Sequence, residues 1–216
     1  MVTVAGVDEA GRGCAIGPLV VASVVFEEDR LPDLKPLGVK DSKRLSPKKR
    51  EELAVEIENL ATDWSYFELQ PAAIDHVVNR SVKLRRLNYL ETMAMAKVIR
   101  DLGPDKAFVD PADVVIERFV RQILRVLRVK PIVVSEVRAD AKFPAVSAAS
   151  ILAKVRRDRE TKKLRESYGD FGSGYCSDRK TVAFLESWFK DNDACPPFIR
   201  GSWSTVRRIR GRPPTA

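Results

Sequence analysis

Two carboxylates, Asp8 and Glu9, stand at the end of a short apolar run, Val2-Thr-Val-Ala-Gly-Val7, and a glycine-flanked arginine, Gly11-Arg12-Gly13, follows at once. Acids at a strand end suit a hard cation, and a fork of guanidinium donors between two glycines suits a phosphate. Asp110, closing Lys106-Ala-Phe-Val109, and Asp140, just past Pro131-Ile-Val-Val-Ser-Glu-Val137, repeat the pattern of an acid after an apolar run. In open α/β sheets such ends gather on one side, so the four acids could converge. Converging carboxylates repel, which raises the pKa of at least one unless a cation is bound, and oxygen ligands favour Mg²⁺ or Mn²⁺. Taken singly, each acid also reads as a turn or helix-cap residue. Adjacent strand residues face opposite ways, so Asp8 and Glu9 share a site only if the strand bends, for which Gly11 offers a hinge.

Several chemistries are excluded. The chain has one histidine, His76, in a segment without a motif, so sites built on several histidines are out and a Ser-His-Asp triad has no support. His76 reads as a structural or surface residue. Gly11-Arg-Gly-Cys-Ala-Ile-Gly17 approaches a dinucleotide fingerprint, but its third glycine is one residue late and a strand follows, not a helix. The remaining readings of the loop are a tight turn or a close approach of backbone to a ligand. Cys14, Cys176 and Cys195 lack zinc spacing and read as free thiols of a reducing compartment, with a disulfide between two of them as the alternative in a hyperthermophile. No apolar stretch reaches the length of a membrane span, and a cytoplasmic location is expected. The net charge of +8 favours a polyanionic partner.

The elements that must position these residues alternate in type. Residues 2–8 and 19–26 read as strands joined by turn chemistry, so an antiparallel pair is expected. Ser46-Pro47 starts a helix, 64–69 is a strand, and Ser81 caps a long helix ending before Gly103-Pro104. Strands at 106–110 and 131–137 flank a helix over 114–127. Helices over 144–168 and 178–190 follow, with a glycine-rich turn at 172–174 and a basic tail. The order indicates α/β with a mixed sheet. Three features could meet nucleic acid: Lys40-Asp-Ser-Lys-Arg44, Tyr175 on a flexible glycine loop, and a tail holding Arg200, Trp203, Arg207, Arg208, Arg210 and Arg212. The charged run Arg156-Arg-Asp-Arg-Glu160 also reads as a solvated helix face.

The stretches Gly6-Val-Asp-Glu-Ala-Gly-Arg-Gly-Cys14, Gly38-Val-Lys-Asp-Ser-Lys43, Phe108-Val-Asp110, Ala139-Asp140, Phe143 to Val155 and Gly169-Asp-Phe-Gly-Ser-Gly-Tyr175 together resemble the ribonuclease HII family, in its archaeal branch. The resemblance implies a ribonuclease H-like fold: a mixed five-stranded sheet flanked by helices, with residues 1–170 as catalytic domain and 171–216 as a C-terminal helical extension and tail. It implies hydrolysis of RNA in RNA–DNA hybrids and incision 5′ of single ribonucleotides in duplex DNA, leaving 3′-hydroxyl and 5′-phosphate ends. Asp8, Glu9, Asp110 and Asp140 take the places of the two-metal carboxylates. Gly11, Arg12 and Gly13 take that of the 2′-hydroxyl reader, and Tyr175 that of the junction-stacking ring. Lys43 takes a phosphate-binding place, and Lys154 falls among the nucleic-acid contacts.

Cys176 and Arg179 depart from the family's pattern, as does Ser204, which stands in a lysine position. A monomer without a sliding-clamp-binding peptide is expected. The competing readings are another nuclease or strand-transferase of this fold acting on DNA, and a binding module that has lost its chemistry.

Overall fold

The computed structural model describes residues 1–39, 45–80 and 86–211. The expectations placed on Lys43 and its neighbours, on Ser81 as a helix cap and on Arg212 lie outside those residues. Five strands form one mixed sheet in the order β3-β2-β1-β4-β5: β1 (Thr3–Ala10), β2 (Leu19–Glu27), β3 (Asp63–Leu69), β4 (Lys106–Val109) and β5 (Ile132–Ser135). β1 pairs antiparallel with β2, as the turn residues between them predict, and parallel with β4, which pairs parallel with β5. Parallel neighbours need crossover connections, which α3 (Arg86–Leu102) and α4 (Ile116–Val126) provide. The remaining helices are α1 (Pro47–Leu60), α2 (Pro71–Val78), α5 (Ala139–Lys142), α6 (Pro144–Tyr168), α7 (Arg179–Asp191) and α8 (Ser204–Arg210), with a 3-10 segment at Glu28–Leu34. Ser46 caps α1 by accepting from Lys49 N–H at 3.2 Å, with Pro47 as its first residue.

The chain divides into two compact units that interleave in sequence. The first comprises residues 1–10, 20–67 and 88–156; the second comprises 11–19, 68–87 and 157–216. In the first unit, Ala22, Val24 and Phe26 of β2 pack with Leu53, Ala54 and Ile57 of α1 and with Ala145, Ala148, Ala149, Ile151 and Leu152 of α6. The small residues on that α6 face let the helix axis come close to the sheet. Gly6 completes the approach, since a Cβ there would fall 2.0 Å from the Ala145 carbonyl oxygen. Sequence composition alone says nothing of this contact, which makes Gly6 obligatory without any unusual backbone angle.

In the second unit, Ile16, Phe171, Leu185, Phe198, Ile199, Val206 and Ile209 form a separate core. Tyr168 stacks on Phe198 with ring centroids 4.0 Å apart. The segment read as a basic tail is in part a helix. α8 buries Val206 and Ile209, one turn apart, beneath its arginines. A second correction concerns α2, which the sequence reading leaves without an element. Its eight residues are too few for a periodic signal, yet Pro71 and Ile74 are buried on one side. His76 is exposed on α2, where its Nε2 lies 2.5 Å from the Arg80 guanidinium. Among the described residues, no helix is long and apolar enough to cross a membrane.

Candidate active site

The first unit brings three of the four acids to one end of adjacent strands. Val7 of β1 pairs with Val109 of β4, so Asp8 and Asp110 follow at the same level. Asp110 N–H donates to the Val7 carbonyl at 3.2 Å, continuing the ladder one residue past β4. The Asp110 carboxylate in turn accepts from Ala139 N–H at 3.2 Å, which places Asp140, the next residue, beside it.

Asp140 does not hang from the end of a seven-residue strand. β5 stops at Ser135, and Arg138 then adopts a left-handed backbone (φ 61°) that launches the one-turn helix α5. Ser147 of α6 donates to the Asp140 carbonyl, and the Phe108 and Phe143 rings stack at 4.3 Å between the two acids' elements. Each of these contacts fixes the backbone that carries an acid.

Asp8 faces α6. Its partner in register is Ala22, a residue of the core formed with that helix. Burial pushes the Asp8 carboxyl up to about 6; the Lys154 ammonium, the Ser150 hydroxyl and Glu9 N–H (2.8 Å) oppose the rise, and the charge of Asp110 adds to it. Lys154 Nζ also donates to Ser150 Oγ. Lys154 is therefore drawn into the carboxylate site and is not part of an evenly solvated basic face. Ser150, fully buried one turn before it, was not singled out from the sequence. An i, i+4 Ser–Lys pair on the small-residue face of α6 is the signal that could have marked it.

The β1–β2 register runs unbroken through Asp8, Glu9 and Ala10, so the expected bend does not fall within β1. The chain turns only afterwards, at Gly11 (φ 88°). Among the described residues, no group of three or more His, Cys, Asp and Glu side chains is close enough to hold a metal ion as it stands. The donor chemistry nevertheless fits a hard divalent cation: the acids offer oxygen only, and a buried carboxyl held near pH 6 beside a second one gains most from an added positive charge.

The second unit holds the Gly-Arg-Gly loop and the tyrosine. Cys14 N–H closes a turn onto the Gly11 carbonyl at 3.2 Å, with Arg12 and Gly13 at its corner. Gly11 is required there, because its φ is positive and a Cβ would lie 2.8 Å from the Pro18 carbonyl oxygen. Gly13 has no such need; a Cβ would meet the Tyr175 ring at an ordinary 3.6 Å. Cys14 pairs with Tyr175 in a one-residue bridge, and Ala15 and Ile16 N–H both donate to the Gly174 carbonyl.

The tyrosine loop, read as flexible, is tied down. Asp178 accepts from Ser173 N–H and Oγ, both at 2.7 Å, and Gly174 N–H donates to Thr181 Oγ1 at 3.0 Å. The Ser173 bonds, with Lys180 N–H at 2.9 Å, hold the Asp178 carboxyl down at about 2. Arg157 is a further correction. It is 8% exposed, its guanidinium lies 5.0 Å from the Tyr175 ring centroid, and it donates to the Ser173 carbonyl at 3.4 Å. Arg200 is also buried and is no surface phosphate contact. All three cysteines are free thiols, and burial pushes the Cys14 thiol up despite Arg157 and Arg200, leaving it a small apolar residue.

A five-stranded mixed sheet with acids at the ends of β1 and β4 and at the start of α5 places the chain in the ribonuclease H-like fold class. The family model for ribonuclease HII matches residues 5–206. Ribonuclease HII of Pyrococcus furiosus is 47% identical over 206 residues, covering 95% of this chain and 90% of the relative. The crystal structure of ribonuclease H2 from Pyrococcus horikoshii superposes with a TM-score of 0.88 at 42% identity, covering 96% of this chain and 97% of that one. The ribonuclease HII in a PCNA complex from Archaeoglobus fulgidus superposes with a TM-score of 0.85 at 41% identity, covering 97% and 98%. The chain belongs to the ribonuclease HII family, in its archaeal branch, and is a metal-dependent ribonuclease.

Proposed function

We propose that this enzyme hydrolyses the RNA strand of RNA–DNA hybrids and incises 5′ of single ribonucleotides embedded in duplex DNA, leaving 3′-hydroxyl and 5′-phosphate ends. The observation that carries the reading is the alignment of buried Asp8 with Asp110 across β1 and β4, with Asp140 beside Asp110. Asp8, Glu9, Asp110 and Asp140 would hold two divalent cations, Mg²⁺ or Mn²⁺. Such a pair supplies Lewis-acid activation of water and stabilises the leaving oxygen of a phosphodiester.

The chain's own groups do the rest. Asp8 binds as a carboxylate, its negative form supported by Lys154 and Ser150. Lys154 compensates charge at the reacting phosphate, and Lys43 and Arg12 hold flanking phosphates. Gly11, Arg12 and Gly13 read the ribose, because only the 2′-hydroxyl tells RNA from DNA at one nucleotide. Tyr175, its ring backed by Arg157, stacks at the junction.

Asp110→Asn and Asp140→Asn test the carboxylate role. Each should lower incision in Mg²⁺ by about a hundredfold or more while leaving duplex binding in EDTA within about twofold, since loss of a transition-state interaction costs roughly 3 kcal/mol. Wild-type rates in either variant would remove that acid from the metal site.

A further inference from the structure

Arg200 is fully buried, and its guanidinium donates to backbone oxygens of the segment from Arg12 to Gly17. Nε and a terminal nitrogen donate to the Gly17 carbonyl at 3.1 and 3.0 Å, and the other terminal nitrogen donates to the Arg12 carbonyl at 3.0 Å. Arg200 N–H donates to the Ala15 carbonyl at 2.8 Å, and the guanidinium lies 4.9 Å from the Trp203 ring centroid. Asp75 of α2 fixes the next residues, accepting from Gly201 N–H at 2.7 Å, Ser202 N–H at 3.0 Å and Ser202 Oγ at 2.5 Å. Burying a cation is costly, so a well-packed neutral side chain would serve stability at least as well. What the guanidinium alone provides is a rigid fork that sets the spacing and direction of two carbonyls.

That direction has a consequence at Gly13. The Arg12 carbonyl and the Gly13 N–H belong to one planar trans peptide and point opposite ways. Holding the carbonyl toward Arg200 aims the Gly13 N–H away from it, on a residue that lies against the Tyr175 ring. We propose that Arg200 is a positioning residue for ribose recognition: by gripping the Arg12 and Gly17 carbonyls it presents the Gly13 N–H to the 2′-hydroxyl of the ribonucleotide. The inference rests on the ribose-reading role proposed above for Gly11, Arg12 and Gly13.

The test measures binding in EDTA, where no strand is cut, of two duplexes that differ by one 2′-hydroxyl. The quantity read is the ratio of Kd for the all-DNA duplex to Kd for the single-ribonucleotide duplex. Arg200→Met should lower this ratio about tenfold, as expected for a misaimed hydrogen bond, with the all-DNA Kd changed less than about twofold. Arg200→Lys, which keeps the charge but lacks the fork, should fall between it and wild type, and is the variant to read if Arg200→Met does not fold. A merely structural role would weaken binding of both duplexes together and leave the ratio alone. If wild type discriminates and neither variant loses discrimination, the role of Arg200 is overturned while the ribose-reading loop stands. A wild-type ratio near one overturns both.

Discussion

Asp8 carries the sharpest consequence of a single side chain. Its carboxyl titrates at about 6 in the fold against 3.8 in an exposed chain, chiefly through burial. A raised pKa means that the fold prefers the protonated form. The stabilisation from Asp8 is therefore complete below pH 3.8 and is lost as pH rises through 6. In EDTA at pH 7.5, Asp8→Asn should raise the unfolding free energy by about 1–2 kcal/mol, with the gain gone near pH 4. Urea unfolding at the two pH values measures this, and a variant less stable than wild type at both would refute the burial argument. The two loop glycines separate in the same way. Gly11→Ala should cost about 1–3 kcal/mol from a strained backbone and a 2.8 Å contact, whereas Gly13→Ala should stay within about 0.5 kcal/mol of wild type in thermal unfolding. An incision defect in Gly13→Ala would then report on the substrate and not on folding.

Helix α6 and the short helix α5 do the positioning. Gly6→Ala would drive a methyl into the backbone of Ala145, lifting α6 with Ser150 and Lys154 away from Asp8. A loss of about 3 kcal/mol or more is expected, together with lost activity at temperatures where the variant is still folded. Arg138→Gly should instead stabilise by about 0.5–1 kcal/mol, because Arg138 holds a left-handed backbone that glycine adopts freely; a lower melting temperature would contradict this.

The boundaries of these elements explain what could be read from sequence. The long strands β1 and β2, the Ser46-Pro47 helix start and α6 carry strong apolar patterns or cap residues, and they were legible. α2, α5 and α8 were not, since four to eight residues are too short for a periodicity and the arginines of α8 hide Val206 and Ile209. The strand-end places of Asp8 and Asp110 were legible because each follows an apolar run, whereas that of Asp140, on the short α5, was not. The partners that set their chemistry were not. Ser150, Arg157 and Arg200 look like ordinary polar residues until a fold brings Asp8, Tyr175 and the Arg12 carbonyl to them.

The whole chain carries a net charge of +8 and belongs to a family of ribonucleases. Excess positive charge on a nucleic-acid enzyme makes binding salt-dependent through counterion release, so a log–log plot of affinity against salt should have a clearly negative slope on every duplex. That slope reports phosphate contacts and is blind to sugar. The proposed function makes a stronger claim: cutting requires a divalent cation, and its place is chosen by one ribose. The direct measurement is incision of a DNA duplex carrying a single ribonucleotide, beside the identical all-DNA duplex, with Mg²⁺ and with EDTA. Cleavage is expected only in the first duplex and only with Mg²⁺, at the 5′ side of the ribonucleotide, leaving a 3′-hydroxyl and a 5′-phosphate. Equal cleavage of both duplexes, or cleavage that survives EDTA, would contradict it.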